Sequence, residues 1–295
     1  MTPPKLSSYF NAEFLRRKLN LWRIFSLAIL LVCISLTYEF DDLKKPRSDY
    51  VARIAISGFI GNDQYRLDRL EELSKDKFLK AVIIDIDSPG GTVVGGELLY
   101  QSLKRLSNAV PTVAFVGSQA TSAAYLAAIG CNYIISPQGS IVGSIGVILQ
   151  SVDLSGLAKS LGIEPVIVKS TSLKAVPHFA EKLTSQGEAS LREVVDDIYK
   201  MFKTIVLERR PLKESNIEEV MSGKVFSGNR AYKLGLVDEV GDSLAVKQYL
   251  LNNNIGKNID IKKVSLQEND VPSFLKIFSP MYKVLQNNFN ILSLY

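Results

Sequence analysis

The sequence predicts an α/β domain, and three observations carry that prediction. From Tyr50 onward, short apolar or β-branched runs alternate with stretches of helical periodicity. Leu79–Ile86 is a nearly continuous apolar run, as expected of a strand covered on both faces of a parallel sheet. Turn-forming residues join the two kinds of segment, above all Asp87-Ser88-Pro89-Gly90-Gly91. One sheet with crossover helices satisfies this order.

Taken along the chain, Val51–Ser57 reads as a strand, Tyr65–Lys75 as an amphipathic helix and Leu79–Ile86 as the buried strand. A helix over Gly95–Leu106, a strand over Pro111–Val116 and an alanine-rich helix after Ser122 follow. Tyr133–Ser136 and Ile145–Leu149 read as further strands, Ser155–Leu161 as a helix and Glu164–Val168 as extended. Lys169–Leu183, with Pro177, has little periodicity and reads as a loop. The box Ser185-Gln186-Gly187-Glu188 opens a long helix whose stripe of Leu191, Val194, Val195, Ile198, Phe202 and Ile205 suits a core or subunit contact. A second box, Ser215 to Glu218, opens a short helix, and Gly228–Gly241 reads as helix, turn and closing strand. Asn252–Asn254 is a break, and Ile259–Val264 reads as a strand. Pro272–Leu285 is amphipathic, suited to a membrane or partner surface or equally to its own domain.

The chain has 295 residues, 46% hydrophobic and 22% charged, enough for one sizeable core and an appendage. Its net charge of +5 arises from interspersed residues, with no aromatic-interleaved basic patch pointing to nucleic acid. Cys33 and Cys131 form no disulfide framework and no metal-ligand spacing, and Cys131 reads as a small buried residue. No metal or cofactor is called for. Residues 1–18 are polar and end in Arg16, Arg17 and Lys18, whereas residues 19–38 are almost wholly apolar. As a helix, the clean core Ile24–Tyr38 would be about 22 Å long. It spans a hydrocarbon layer of about 30 Å only if Leu21 and Trp22 join it and Arg23 reaches the interface. A cleavable signal peptide has a similar shape, but no A-x-A pattern follows, and Val32 before Cys33 does not suit a lipoprotein. The expectation is a cytoplasmic N-terminus over 1–18, an uncleaved transmembrane anchor over 19–38 and a linker over 39–49. One domain over 50–250 and a C-terminal extension over 251–295 complete the division.

Ser122 sits where a strand gives way to a helix, a turn that exposes a side chain beside the unpaired N–H groups of the first helical residues. Serine at such a place is also the ordinary helix cap. The Pro89-Gly90-Gly91 turn lies one strand-helix unit earlier, so parallel strand ends would bring it beside Ser122, with amides free to meet a carbonyl oxygen. The chain has a single histidine, His178, so a histidine-based triad would have to use it.

The ordered set DSPGG at 87–91, AxSxxYxxA around Ser122, GSIG at 143–146 and GNRAYKLGLVDEVG at 228–241 resembles the signal peptide peptidase (protease IV) family of membrane-anchored serine proteases. The resemblance covers residues 50–250 and implies a Clp protease/crotonase-like domain of repeated β-β-α units forming a superhelix. It makes Ser122 the nucleophile and Lys174, 52 residues later, its general base. It also makes the N–H groups of Gly91 and Ala123 the oxyanion hole and Ser144 a hydroxyl that orients the lysine. A lysine must be neutral to take a proton, so that base has to be buried; His178 is the rival base. The implied substrates are signal peptide remnants and other short apolar segments. The implied setting is the bacterial cytoplasmic (inner) membrane, with the domain extracytoplasmic in a homo-oligomer that shares the active site between protomers. In one respect the chain departs from the family, since Ala123 and Ala124 stand where two glycines usually follow the serine. A catalytically silent scaffold and a crotonase-type acyl-CoA enzyme are the alternatives.

Overall fold

A computed structural model of the protein describes residues 15–30, 48–256 and 259–267. The chain divides into two compact units, residues 1–48 and 49–295. In the first, residues 15–30 are helical (α1). Among the described residues no helix is long and apolar enough to cross a membrane, so the expected anchor is not found there. Residues 31–38 of that expected span lie outside the described residues, as does the amphipathic stretch Pro272–Leu285.

The second unit confirms the α/β class. Its elements are β1 (Tyr50–Ile60), α2 (Gln64–Lys75), β2 (Leu79–Gly91), α3 (Val93–Ala109), β3 (Thr112–Thr121), α4 (Ala123–Ala128), β4 (Tyr133–Ser136) and β5 (Ile141–Gly143). They continue with α5 (Ser155–Ser160), α6 (Ser185–Arg209), α7 (Glu214–Val220), β6 (Val225–Ser227), α8 (Gly228–Leu234), β7 (Glu239–Val240), α9 (Ser243–Asn252) and β8 (Asp260–Lys263). The strands form one eight-stranded sheet in the order β6-β5-β3-β2-β1-β8, with β4 joining β3 and β7. Pairing is parallel throughout except between β5 and β6.

Alternation along β2 explains its apolar sequence. Val82, Ile84 and Ile86 enter the main core beneath α3 and α4, while Ala81 and Ile83 enter a smaller core with Val246 and Leu250 of α9. β3 pairs along its length with β2 but shares its other edge between two strands. Val113–Phe115 meet β4, and Gln119–Thr121 meet β5. The carboxyl ends of β2, β3 and β5 therefore come together, as parallel strands require.

Several expectations need correction. Ile145–Leu149 is not a strand; β5 ends at Gly143, and the apolar residues after it turn into a cavity wall. The cap of α6 is Thr184, whose Oγ1 accepts the Gly187 N–H at 3.1 Å, one residue before the expected box. The cap position of α7 is Lys213, and Ser215 lies inside the first turn without capping it. Glu164–Val168 has no sheet partner and carries no regular structure. Cys131 is buried, and burial pushes its thiol up to about 12. Alkylation at pH 8 is accordingly expected to modify Cys131 only after unfolding, a difference that mass spectrometry with and without urea would read.

Candidate active site

Asp87–Gly91, expected from sequence to be a turn, instead forms the last residues of β2, paired with β1, and is held from inside. Ser88 is fully buried, and its Oγ donates to Gly58 O at 2.6 Å and accepts the Gly90 N–H at 3.1 Å. Gly90 has φ +106, and a β-carbon there would lie 2.9 Å from the Ser122 Cβ. At Gly91 a β-carbon would meet the Ile60 carbonyl oxygen at 1.9 Å, so only glycine lets β2 pair with β1 up to this point.

Ser122 follows β3 directly. Its N–H donates to Gly143 O at 2.9 Å, and Thr121 Oγ1 donates to Pro89 O at 3.0 Å. These two bonds tie the ends of the three strands to the serine. Although Ser122 stands at the cap position of α4, its φ of 53 and ψ of −123 are not those of a cap, and its side chain makes no capping bond. The capping interpretation fails. A non-glycine residue in this region is strained, and the strain leaves the hydroxyl free at the start of a helix whose first N–H groups have no intrahelical acceptor. Ser144 is in the same region, with φ 54, and its N–H donates to Lys224 O at 2.8 Å.

A cavity of about 570 Å³ opens at this point, and Pro89, Ser122, Ala123 and Ser144 are part of its wall. The remaining wall is mostly apolar, including Val93, Leu126, Ile145, Val195, Ile198 and Phe202. The α6 stripe assigned from sequence to a core or subunit contact thus also forms one side of a cleft. Tyr199 lies in the same wall and donates its hydroxyl to Met221 O, which fixes α6 against the 221–223 loop. No charged side chain lines this cavity among the described residues.

Lys174 is exposed and is not part of the cavity wall. The residue after it, Ala175, has φ 61. His178 is on the same strap, residues 161–184 between α5 and α6, also outside the wall, with Nδ1 accepting the Ala180 N–H at 3.2 Å and its ring stacked on Phe179. Within a single chain the structure therefore gathers Ser122, Ala123, Ser144 and Pro89 in the cavity wall, with Gly90 packed against Ser122, whereas Gly91, paired with Ile60, and both candidate bases lie outside that wall. Sequence reasoning missed the supports of the nucleophile helix. Tyr125 is wholly buried and donates to Leu236 O at 2.8 Å. Arg209 donates to Ile129 O at 2.9 Å and to Cys131 O at 3.0 Å, at the far end of α4. Burial also raises the Tyr125 phenol, which keeps it a neutral donor. No group of three or more His, Cys, Asp or Glu among the described residues is placed to hold a metal ion.

Residues 104–254 match peptidase family S49. A candidate protease of Synechocystis sp. is 34% identical over 201 residues, covering 68% of this chain and 72% of that protein. The chloroplastic serine protease SPPA of Arabidopsis thaliana is 26% identical over 213 residues, 71% of this chain but only 32% of that protein. Protease 4 of Haemophilus influenzae is 28% identical over 173 residues, 58% of this chain and 28% of that protein. In fold, the chain is similar to a serine-to-alanine mutant of the membrane-bound stomatin-specific protease 1510-N, with a TM-score of 0.50 at 16% identity over 77% of this chain and 99% of that one. On the family match and the Synechocystis relative together, the chain belongs to peptidase family S49, the signal peptide peptidase family of serine proteases.

Proposed function

We propose that the chain is an endopeptidase that cleaves short apolar peptides, signal peptide remnants among them, with Ser122 as nucleophile and Lys174 as general base. The observation that carries this is the Ser122 backbone, strained, uncapped and open to a cavity at a helix start. In the proposed reaction, the neutral amine of Lys174 takes the Ser122 hydroxyl proton as Oγ bonds to the substrate carbonyl carbon. The N–H groups of Gly91 and Ala123 hold the resulting oxyanion. Collapse breaks the C–N bond, and the lysine ammonium protonates the departing amine. Water then attacks the ester by the same route and releases the carboxylate, restoring the serine. Ser144, close to Ser122 in the cavity wall, offers the hydroxyl that orients the lysine.

The apolar, uncharged cavity supports the choice of substrate, because a charged side chain would lose its hydration there without a partner. Its lack of a base supports an assembly in which a neighbouring copy delivers Lys174. The strap that carries this lysine is rich in exposed apolar residues, Val166 at 91% and Val168 at 95% exposure, which a second protomer would cover. Residues 19–38 serve as a single-pass anchor in the bacterial inner membrane, with residues 1–18 cytoplasmic and the catalytic domain outside.

A serine-directed fluorophosphonate tests this reading. Incubated with the full chain in mild detergent, it is expected to leave one adduct, located by peptide mapping at Ser122. Persistent labelling of Ser122→Ala, or no labelling of the intact assembly, would rule out Ser122 as nucleophile.

A further inference from the structure

We infer that Gly96 of α3 is a positioning residue for the oxyanion donor Ala123, the β-carbon missing from one making room for the methyl of the other; this rests on the role proposed above for Ala123. Glycine inside a helix is unfavourable relative to alanine, yet α3 has two in its first turn, Gly95 and Gly96. Gly95 is accounted for locally, since a β-carbon there would lie 2.7 Å from the Gly61 carbonyl. At Gly96 the three nearest atoms all belong to Ala123. A β-carbon would lie 2.7 Å from its Cβ, 3.1 Å from its Cα and 3.6 Å from its carbonyl oxygen.

Two carbon atoms are in comfortable contact at about 3.5–4.0 Å, so a methyl at 96 would force a shift. Neither atom is at the end of a flexible side chain, so relief requires movement of backbone. The buried run from Ala124 to Ala128 leaves α4 little freedom to retreat into the core, whereas Ala123 itself is part of the cavity wall. The displaced peptide is the one joining Ser122 to Ala123, whose N–H is the proposed donor. Its other side is occupied too, because a β-carbon at Gly90 would lie 3.1 Å from Ala123 N. The elbow is thus gripped between two residues without side chains. This also accounts for the chain's tolerance of alanine at 123: the extra methyl is received by α3 and does not narrow the cleft.

The test is a double-mutant cycle in the full chain, with Gly96→Ala, Ala123→Gly and both together, read by kcat and KM on an apolar peptide ester and by thermal unfolding. Displacing a donor by a fraction of an ångström is expected to lower kcat about 100-fold in Gly96→Ala, with KM within about twofold. Adding Ala123→Gly is expected to restore at least tenfold of that loss, because the methyl has merely changed sides. Should Gly96→Ala fail to fold, recovery of a folded and active double variant supports the pairing in the same way. Unchanged kcat in Gly96→Ala, or a double variant no better than Gly96→Ala, overturns the inference while leaving wild-type catalysis intact. A wild-type protein that neither turns over ester nor takes the phosphonate overturns the functional reading, and the positioning role with it.

Discussion

Chains bearing Ser122→Ala and chains bearing Lys174→Ala are each expected to lose about 10⁴-fold or more in kcat, since members of one catalytic unit fail together. Mixed in equal amounts after subunit exchange, they are expected to recover about a quarter of the wild-type rate. In a head-to-tail interface one pairing in four joins an intact serine to an intact lysine. The physical basis is the mismatch between the two partners' surroundings. Ser122 faces a cavity with no charged side chain among the described residues, whereas Lys174 is exposed to water in the isolated chain. An amine becomes a base at neutral pH only when its charged form is destabilised by burial. A second copy lying over the strap would supply that burial and close the cavity in one step. Initial rates on an apolar peptide ester decide the matter. Two silent variants that stay silent when mixed would place the dyad within one chain, and full activity in Lys174→Ala would remove the lysine from the mechanism.

What could be read from sequence follows from how much of the relevant physics is local. β1 to β4 were legible because their residues are buried on a parallel sheet, where apolar content and strand length coincide. The same signal misled at Ile145–Leu149. A cavity wall needs apolar side chains as much as a strand does, and periodicity cannot separate the two. The α6 stripe was legible in part: Phe202 and Ile205 do join the core as expected, but Val195, Ile198 and one side of Phe202 also form the cavity wall. β6 escaped notice because three residues, Val225–Ser227, bear no periodicity, and their antiparallel pairing to β5 is a tertiary event. At the site, the carboxyl end of β2 and Ser122 could be placed together from strand order alone, although Pro89-Gly90-Gly91 is strand and not the turn its residue types suggest. The absence of a cap at Ser122 could not, because residue type is the same for a cap and a nucleophile and only φ and ψ distinguish them.

Asp238→Ala is expected to destabilise the domain by about 3–5 kcal/mol, the usual effect of stripping a buried cation of its counter-ion. Asp238 Oδ1 and Oδ2 accept from the two terminal nitrogens of Arg210 at 2.9 and 3.0 Å, while Oδ2 also accepts the Ile134 N–H at 2.8 Å. The Arg210 side chain is only 6% exposed, so water cannot replace the lost carboxylate. Against a total stability of about 5–15 kcal/mol this is a large fraction, and it corresponds to a Tm lower by about 10 °C in a domain of this size. Removing both charges, as in Arg210→Met with Asp238→Ala, is expected to be milder than Asp238→Ala alone, because no buried ion is left unmatched. Urea midpoints for the two variants test this; a single variant as stable as wild type would mean that the pair is not buried in solution. The consequence reaches the active site by a short path. Arg210 Nε donates to Gly235 O at 2.9 Å, and the next residue, Leu236, accepts the Tyr125 hydroxyl from the middle of the nucleophile helix. A loosened 235–238 loop withdraws the acceptor that anchors α4, so Asp238→Ala is expected to slow phosphonate labelling of Ser122 at temperatures well below its own unfolding midpoint.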